Sequence, residues 1–150
     1  MIADLSPGLI LIIGALLIPL IRSQARSAYM LALPVAAFMV TLALPHGNLA
    51  SVSLFGLELE LLRVDRLSLI FGYIFLVAAF LGVIYQLHVR DTVQHVAGLV
   101  YAGSAIGAVF AGDLVTLFLF WEGTAISSVF LIWAARTERS LAAGMRYLVI

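Results

Sequence analysis

Five apolar runs follow one another through residues 5–21, 28–44, 67–87, 93–111 and 114–135, each close to the length of a membrane-spanning helix. A hydrocarbon core about 30 Å thick takes about 20 apolar residues in a helix, so this succession excludes a water-soluble domain. It predicts an all-α polytopic membrane protein of five transmembrane helices. A sixth run opens at Leu141 and reaches Ile150. That is too few residues to cross by itself, which predicts either a re-entrant helix or the front part of something longer. Composition points the same way: 64% of the 150 residues are hydrophobic and 11% charged, where a soluble domain carries roughly a quarter charged.

The stretch ahead of the first run carries Asp4 and no arginine. A secretory signal needs a basic leader, so the first run is expected to stay as a span. Pro19 falls in its last turn, and Pro34 is expected to kink the second helix. Three regions are expected: 1–65 with the first two helices and an external loop, 66–92 with the third helix, and 93–150.

Orientation follows from the arginines, because short cytoplasmic loops are enriched in them. Arg22, Arg26, Arg90, Arg136 and Arg139 fall on one side, Arg63 and Arg66 on the other. The N-terminus is therefore expected outside, in a multi-pass protein of a bacterial-type cytoplasmic (inner) membrane. Eight basic residues, all arginine, balance eight acids. Without a basic patch, nucleic acid is not an expected partner. The chain has no cysteine, which removes disulfides, thiolate metal sites and iron–sulfur clusters. With no phosphate-binding loop, nucleophile elbow or zinc signature, no catalytic centre, cofactor or metal is expected in this chain.

The one sizeable loop, residues 46–65, alternates strictly in Ser51-Val52-Ser53-Leu54 and Leu57-Glu58-Leu59-Glu60-Leu61. This is strand periodicity. A turn at Phe55-Gly56 would set Leu54 opposite Leu57, Val52 opposite Leu59 and the serines opposite the glutamates, placing the apolar side chains on one surface. A small external β-hairpin is predicted, with a longer turn or a bulge as the alternative. Its apolar face is expected to rest on a neighbouring helix or subunit.

Glu122 is the ninth residue of the fifth run, about 13 Å deep at 1.5 Å per residue and close to the bilayer midplane. A carboxylate there should be paired, reached by internal water or held protonated, and each state suits a proton carrier. The competing reading is a neutral acid that only joins helices. Thr124, Ser127 and Ser128 lie within two turns, either orienting water or bonding back to their own helix. His88 and His95 flank the turn between the third and fourth helices with Arg90 and Asp91. They could relay protons, since histidine titrates near neutrality, or be surface residues without a role. Gly103, Gly107 and Ala111 recur every four residues on the fourth helix, a small-residue stripe expected to let another helix approach. Asp65 and Asp113 stand where they can cap the third and fifth helices.

The stretch from Ala111 through Phe120-Trp121-Glu122, continuing through Ser127-Ser128 to Trp133, resembles the fifth helix of the proton-conducting antiporter-like subunits. This family includes the large membrane-arm subunits of respiratory complex I, membrane subunits of group 4 hydrogenases, and the A-type and D-type subunits of Mrp sodium/proton antiporters. Val64-Asp65-Arg66-Leu67-Ser68 and Gly144-Met145-Arg146-Tyr147-Leu148 are also similar, and the pattern looks closest to the D-type Mrp proteins. The resemblance implies that Glu122 is the main proton-pathway carboxylate. It further implies other subunits of a membrane transport complex as partners, with protons and sodium as candidate ions. Family members carry more helices in two inverted repeats and a mid-membrane lysine that pairs with the glutamate. This chain has no lysine and is expected to be the N-terminal portion of such a subunit. Two other readings stay open: a scaffold subunit that transports nothing, and a membrane-arm subunit of an NADH:quinone oxidoreductase or hydrogenase-type complex.

Overall fold

The computed structural model describes residues 6–54 and 56–149; residues 1–5, among them Asp4 and the expected external N-terminus, together with Phe55 and Ile150, lie outside the described residues. The chain runs α1 (Pro7–Leu17), a 3-10 turn (Ile18–Leu20), α2 (Ser23–Ala43), β1 (Gly47–Leu54), β2 (Leu57–Val64), α3 (Arg66–Gln86), α4 (Thr92–Val109), α5 (Leu114–Trp133) and α6 (Glu138–Val149). Among the described residues four helices, α2 to α5, are long and apolar enough to cross a membrane. The small antiparallel hairpin stands between α2 and α3.

The first helix is shorter than its apolar run. Its 11 α-helical residues rise about 17 Å, short of the bilayer core even with the 3-10 turn added. Pro19 explains the change of winding, because it has no N–H to continue the ladder to Ala15 and the chain tightens around it instead. In α2 the helix begins five residues ahead of the expected start, so Arg26 lies in its first turn and not in a loop. Arg26 Nη1 donates to Thr92 Oγ1 at 2.7 Å, tying the start of α2 to the start of α4. Pro34 is buried inside the unbroken α2.

α4 is the hub, touching α1, α3 and α5. Seven of its 18 residues are buried, against three of 20 in α5. Its closeness to α1 comes from glycine. A methyl group at Gly103 would lie 2.7 Å from the Gly8 carbonyl oxygen, and one at Gly8 would strike the Gly103 and Gly107 backbone. Gly107 also faces the Phe120 ring of α5. Ala111, expected to extend this stripe, lies in the turn after α4, because the helix stops at Val109 and Phe110 caps its end. The core gathers Leu11, Ile18, Met30, Leu76, Ile106 and Phe110, with Leu62 and Val64 of the hairpin packed into it.

The hairpin has the register its alternation predicts: Leu54 opposite Leu57, Val52 opposite Leu59, Ser53 opposite Glu58 and Ser51 opposite Glu60. Gly56 sits at φ +79°, a left-handed turn conformation that favours glycine. Register shifts on either side of Ala50 bring it opposite Leu62. The irregularity changes the phase of burial along β2, from Leu59 to Leu62 and Val64, all under 8% exposed. These three side chains seat the hairpin, whereas Val52, Leu54 and Leu57 near the tip remain exposed.

Candidate functional site: the open face of α5

Asp113 fixes where α5 begins. Its Oδ1 accepts the amides of Val115 at 2.8 Å and Thr116 at 2.9 Å, and its Oδ2 accepts the Thr116 hydroxyl at 2.6 Å. The same Oδ2 accepts the Glu60 amide of β2 at 2.7 Å. Two backbone bonds complete the joint, Arg63 N to Phe110 O at 2.8 Å and Gly112 N to Glu60 O at 2.9 Å. The open edge of β2 is thereby stitched to the α4–α5 turn. Partial burial works against the charge of Asp113, but the bonds from Thr116, Glu60 and Val115 outweigh it and hold the carboxyl below the ordinary aspartate range. Asp65 caps α3 by exchanging bonds with Ser68, each 2.8 Å. The Ser68 amide is the main reason its carboxyl is also held low.

From this fixed start Glu122 lies eight residues on, about 12 Å along α5. It is exposed on the side of α5 that no other described helix covers. A shallow groove of about 330 Å³ surrounds it, walled by Leu114, Leu117, Phe118 and Trp121. Among the described residues it has no ion-pair partner. Its neighbours one turn away, Phe118, Leu119, Ala125 and Ile126, carry no polar side-chain atom.

The three hydroxyl residues stand elsewhere. Thr124 Oγ1 donates to Trp121 O at 2.6 Å, Ser127 Oγ to Gly123 O at 2.6 Å and Ser128 Oγ to Ala125 O at 2.7 Å. All three donate back to their own helix, which leaves each hydroxyl oxygen its lone pairs to accept from water. At about 100° per residue their side chains are turned well away from Glu122. Ser127 is buried, while Thr124 lines a separate groove with Tyr101 and Tyr147.

His88 is exposed in the α3–α4 turn with its ring edge-on to Tyr85 at 5.6 Å. His95 is 5% exposed, not a surface residue. Its Nε2 lies 3.2 Å from Gln86 O, and its Nδ1 has no partner among the described residues. Neither histidine is hydrogen-bonded to Glu122. The same end holds a pair that spacing did not single out: Arg136 donates to Asp91 Oδ2 at 2.8 Å, joining the α5–α6 turn to the start of α4. Asp91 also accepts the Val93 amide at 3.0 Å. An aspartate directly before an apolar run was the available signal for a cap. Among the described residues no group of three or more His, Cys, Asp or Glu side chains could hold a metal ion.

These helices and their caps define a multi-pass helical membrane protein whose fifth helix presents a lone carboxylate on an open face. Residues 111–150 match the family described as NADH:quinone oxidoreductase/Mrp antiporter, TM. The matched stretch contains the α4–α5 turn, all of α5 with Glu122, and α6. No curated protein matches the chain.

Proposed function

We propose that this protein is a membrane subunit of a proton-translocating complex of the antiporter or NADH:quinone oxidoreductase kind, with Glu122 as its mid-membrane proton carrier. The observation that carries the reading is the place of Glu122. It stands halfway along a spanning helix, unpaired among the described residues, inside the segment similar to that family. A carboxylate facing lipid costs several kcal/mol, so the open face of α5 is covered by protein in the working complex. A cation brought by that neighbour favours the charged carboxylate when near and the protonated acid when withdrawn. Alternation between the two moves a proton.

In this reading the N-terminus is outside, the arginine-rich loops lie in the cytoplasm, and sodium is the candidate exchanged ion in a setting like that of the D-type Mrp proteins. The helix hydroxyls, already bonded to their own carbonyls, act as packing groups, and any proton path to Glu122 runs through water on the open face. The test is Glu122→Gln beside Glu122→Asp in inverted membrane vesicles, with a pH-sensitive dye reporting proton movement and a native gel reporting assembly. Glu122→Gln abolishes proton-coupled transport in a fully assembled complex, and Glu122→Asp retains part of it. Normal transport by an assembled Glu122→Gln complex defeats the proposal.

A further inference from the structure

The early end of α1 leaves a gap. Because the helix tightens at Ile18 and then turns away, α1 does not cover the crevice between α4 and α5 at the arginine-rich end. The result is a groove of about 460 Å³ walled by Leu16 and Pro19, by Val93 and Val96 of α4, and by Ile126 and Phe130 of α5. It follows α4 from Thr92 to Val100, about 12 Å of helix, and its floor reaches Gly123 near mid-helix.

Its mouth is positively charged. Arg26 donates to Thr92 Oγ1, on the groove rim, and to Ile21 O at 3.4 Å beside Pro19. Both acceptors are neutral, and each of the two Nη groups keeps a second N–H without an acceptor among the described residues. The acid closest in sequence to that rim, Asp91, is already engaged by Arg136 and the Val93 amide. Arg22, exposed at the cap of α2, adds a second positive charge. A guanidinium with unused donors above a crevice of aliphatic and aromatic walls is complementary to one kind of molecule: an anionic head on an apolar tail.

We infer that this groove is a binding site for an anionic phospholipid, its phosphate held by Arg26 at the rim and an acyl chain lying between α4 and α5. The site is separate from Glu122, and its test does not depend on proton transport.

The experiment is native mass spectrometry of the protein purified from its membrane in a mild detergent, titrated with phosphatidylglycerol and with phosphatidylcholine. Phosphatidylglycerol binds roughly tenfold more tightly, because both lipids offer a phosphate to Arg26 but only the phosphatidylcholine head also brings a quaternary ammonium that the positive mouth repels. Arg26→Gln brings it to the phosphatidylcholine level, and Arg26→Lys restores part of the difference. Val93→Trp fills the groove at an exposed side chain and weakens both lipids, which keeps the test intact should Arg26→Gln fail to fold. Millimolar inorganic phosphate does not displace the bound lipid, because the tail is held as well as the head. Equal binding of the two lipids overturns the inference, as does unchanged binding in Val93→Trp or displacement by phosphate alone. A photoreactive side chain at position 93 that captures polypeptide and no lipid in native membranes overturns it too.

Discussion

Replacing Asp113 tests the joint between the hairpin and α5. The carboxylate serves two structures with two oxygens: Oδ1 holds the first amides of α5, and Oδ2 holds the Glu60 amide of β2. Asp113→Ala removes both. Losing the helix cap costs about 1 kcal/mol, and taking a charged acceptor from the Glu60 amide costs about 2 kcal/mol more. The Thr116 hydroxyl adds little, since it can turn to another acceptor. Asp113→Asn separates the contributions. Its amide oxygen can keep the α5 cap, but its NH2 group then faces the Glu60 N–H, donor against donor, so about 2 kcal/mol is lost and the cap survives. The assay is unfolding in micelles by increasing SDS fraction, followed by helicity, together with hydrogen exchange at single amides. Asp113→Asn speeds exchange at Glu60 and leaves Thr116 protected, whereas Asp113→Ala speeds both. Equal acceleration of both amides in the two variants refutes the division of labour. A shift below about 0.5 kcal/mol in Asp113→Ala refutes the cap as well.

Two further predictions concern packing and pH. Gly8→Ala drives a methyl group into the Gly103 and Gly107 backbone and costs about 1–3 kcal/mol in the same SDS assay. Gly82→Ala, where nothing lies within 4 Å, is neutral or stabilises by up to about 1 kcal/mol through helix propensity. Asp65, Asp91 and Asp113 are all held below the ordinary aspartate pKa. In Asp91 the amide of Val93 and the guanidinium of Arg136 outweigh the opposing effect of burial. Each therefore binds its proton more weakly when folded, and its stabilisation is complete above the unfolded value of about 3.9 and lost as pH falls through the folded one. Thermal unfolding in detergent should hold steady from pH 7 to about 5 and weaken steeply below about 4, and Asp113→Asn should flatten that acid limb.

The parts of this fold readable from sequence are those governed by local repetition. The hairpin register follows from a period of two, because sliding one strand by one residue would turn every leucine to the opposite face. The phase change at Leu61-Leu62 was less legible, since it answers to docking against Phe110 and not to alternation. The start of α2 lies ahead of its apolar run, where an arginine normally marks a loop, and the bond to the distant Thr92 is what holds Arg26 in the first turn. Pro19 was visible, but not how far it would shorten α1. For Glu122, periodicity shows which residues share its face of α5, and these are apolar. It does not show that the face is uncovered, which depends on α4 and α6 meeting α5 on its other sides. The habit of helical serines and threonines to bond back one turn was available, and it describes Thr124, Ser127 and Ser128.

The stitch between β2 and the α4–α5 turn also has a place in time. A chain made from its N-terminus folds its early elements first, and β2 is complete nearly fifty residues before Phe110, Gly112 and Asp113 are made. Throughout that interval two helices must be threaded into the membrane while one edge of the hairpin stays unpaired, a standing invitation to another strand. The glutamates at 58 and 60 keep that edge charged during the wait. When residues 110–113 emerge on the same side, a single turn ends α4, closes the edge and caps the first turn of α5, so the hairpin acts as a gauge against which the fifth helix is measured into the bilayer.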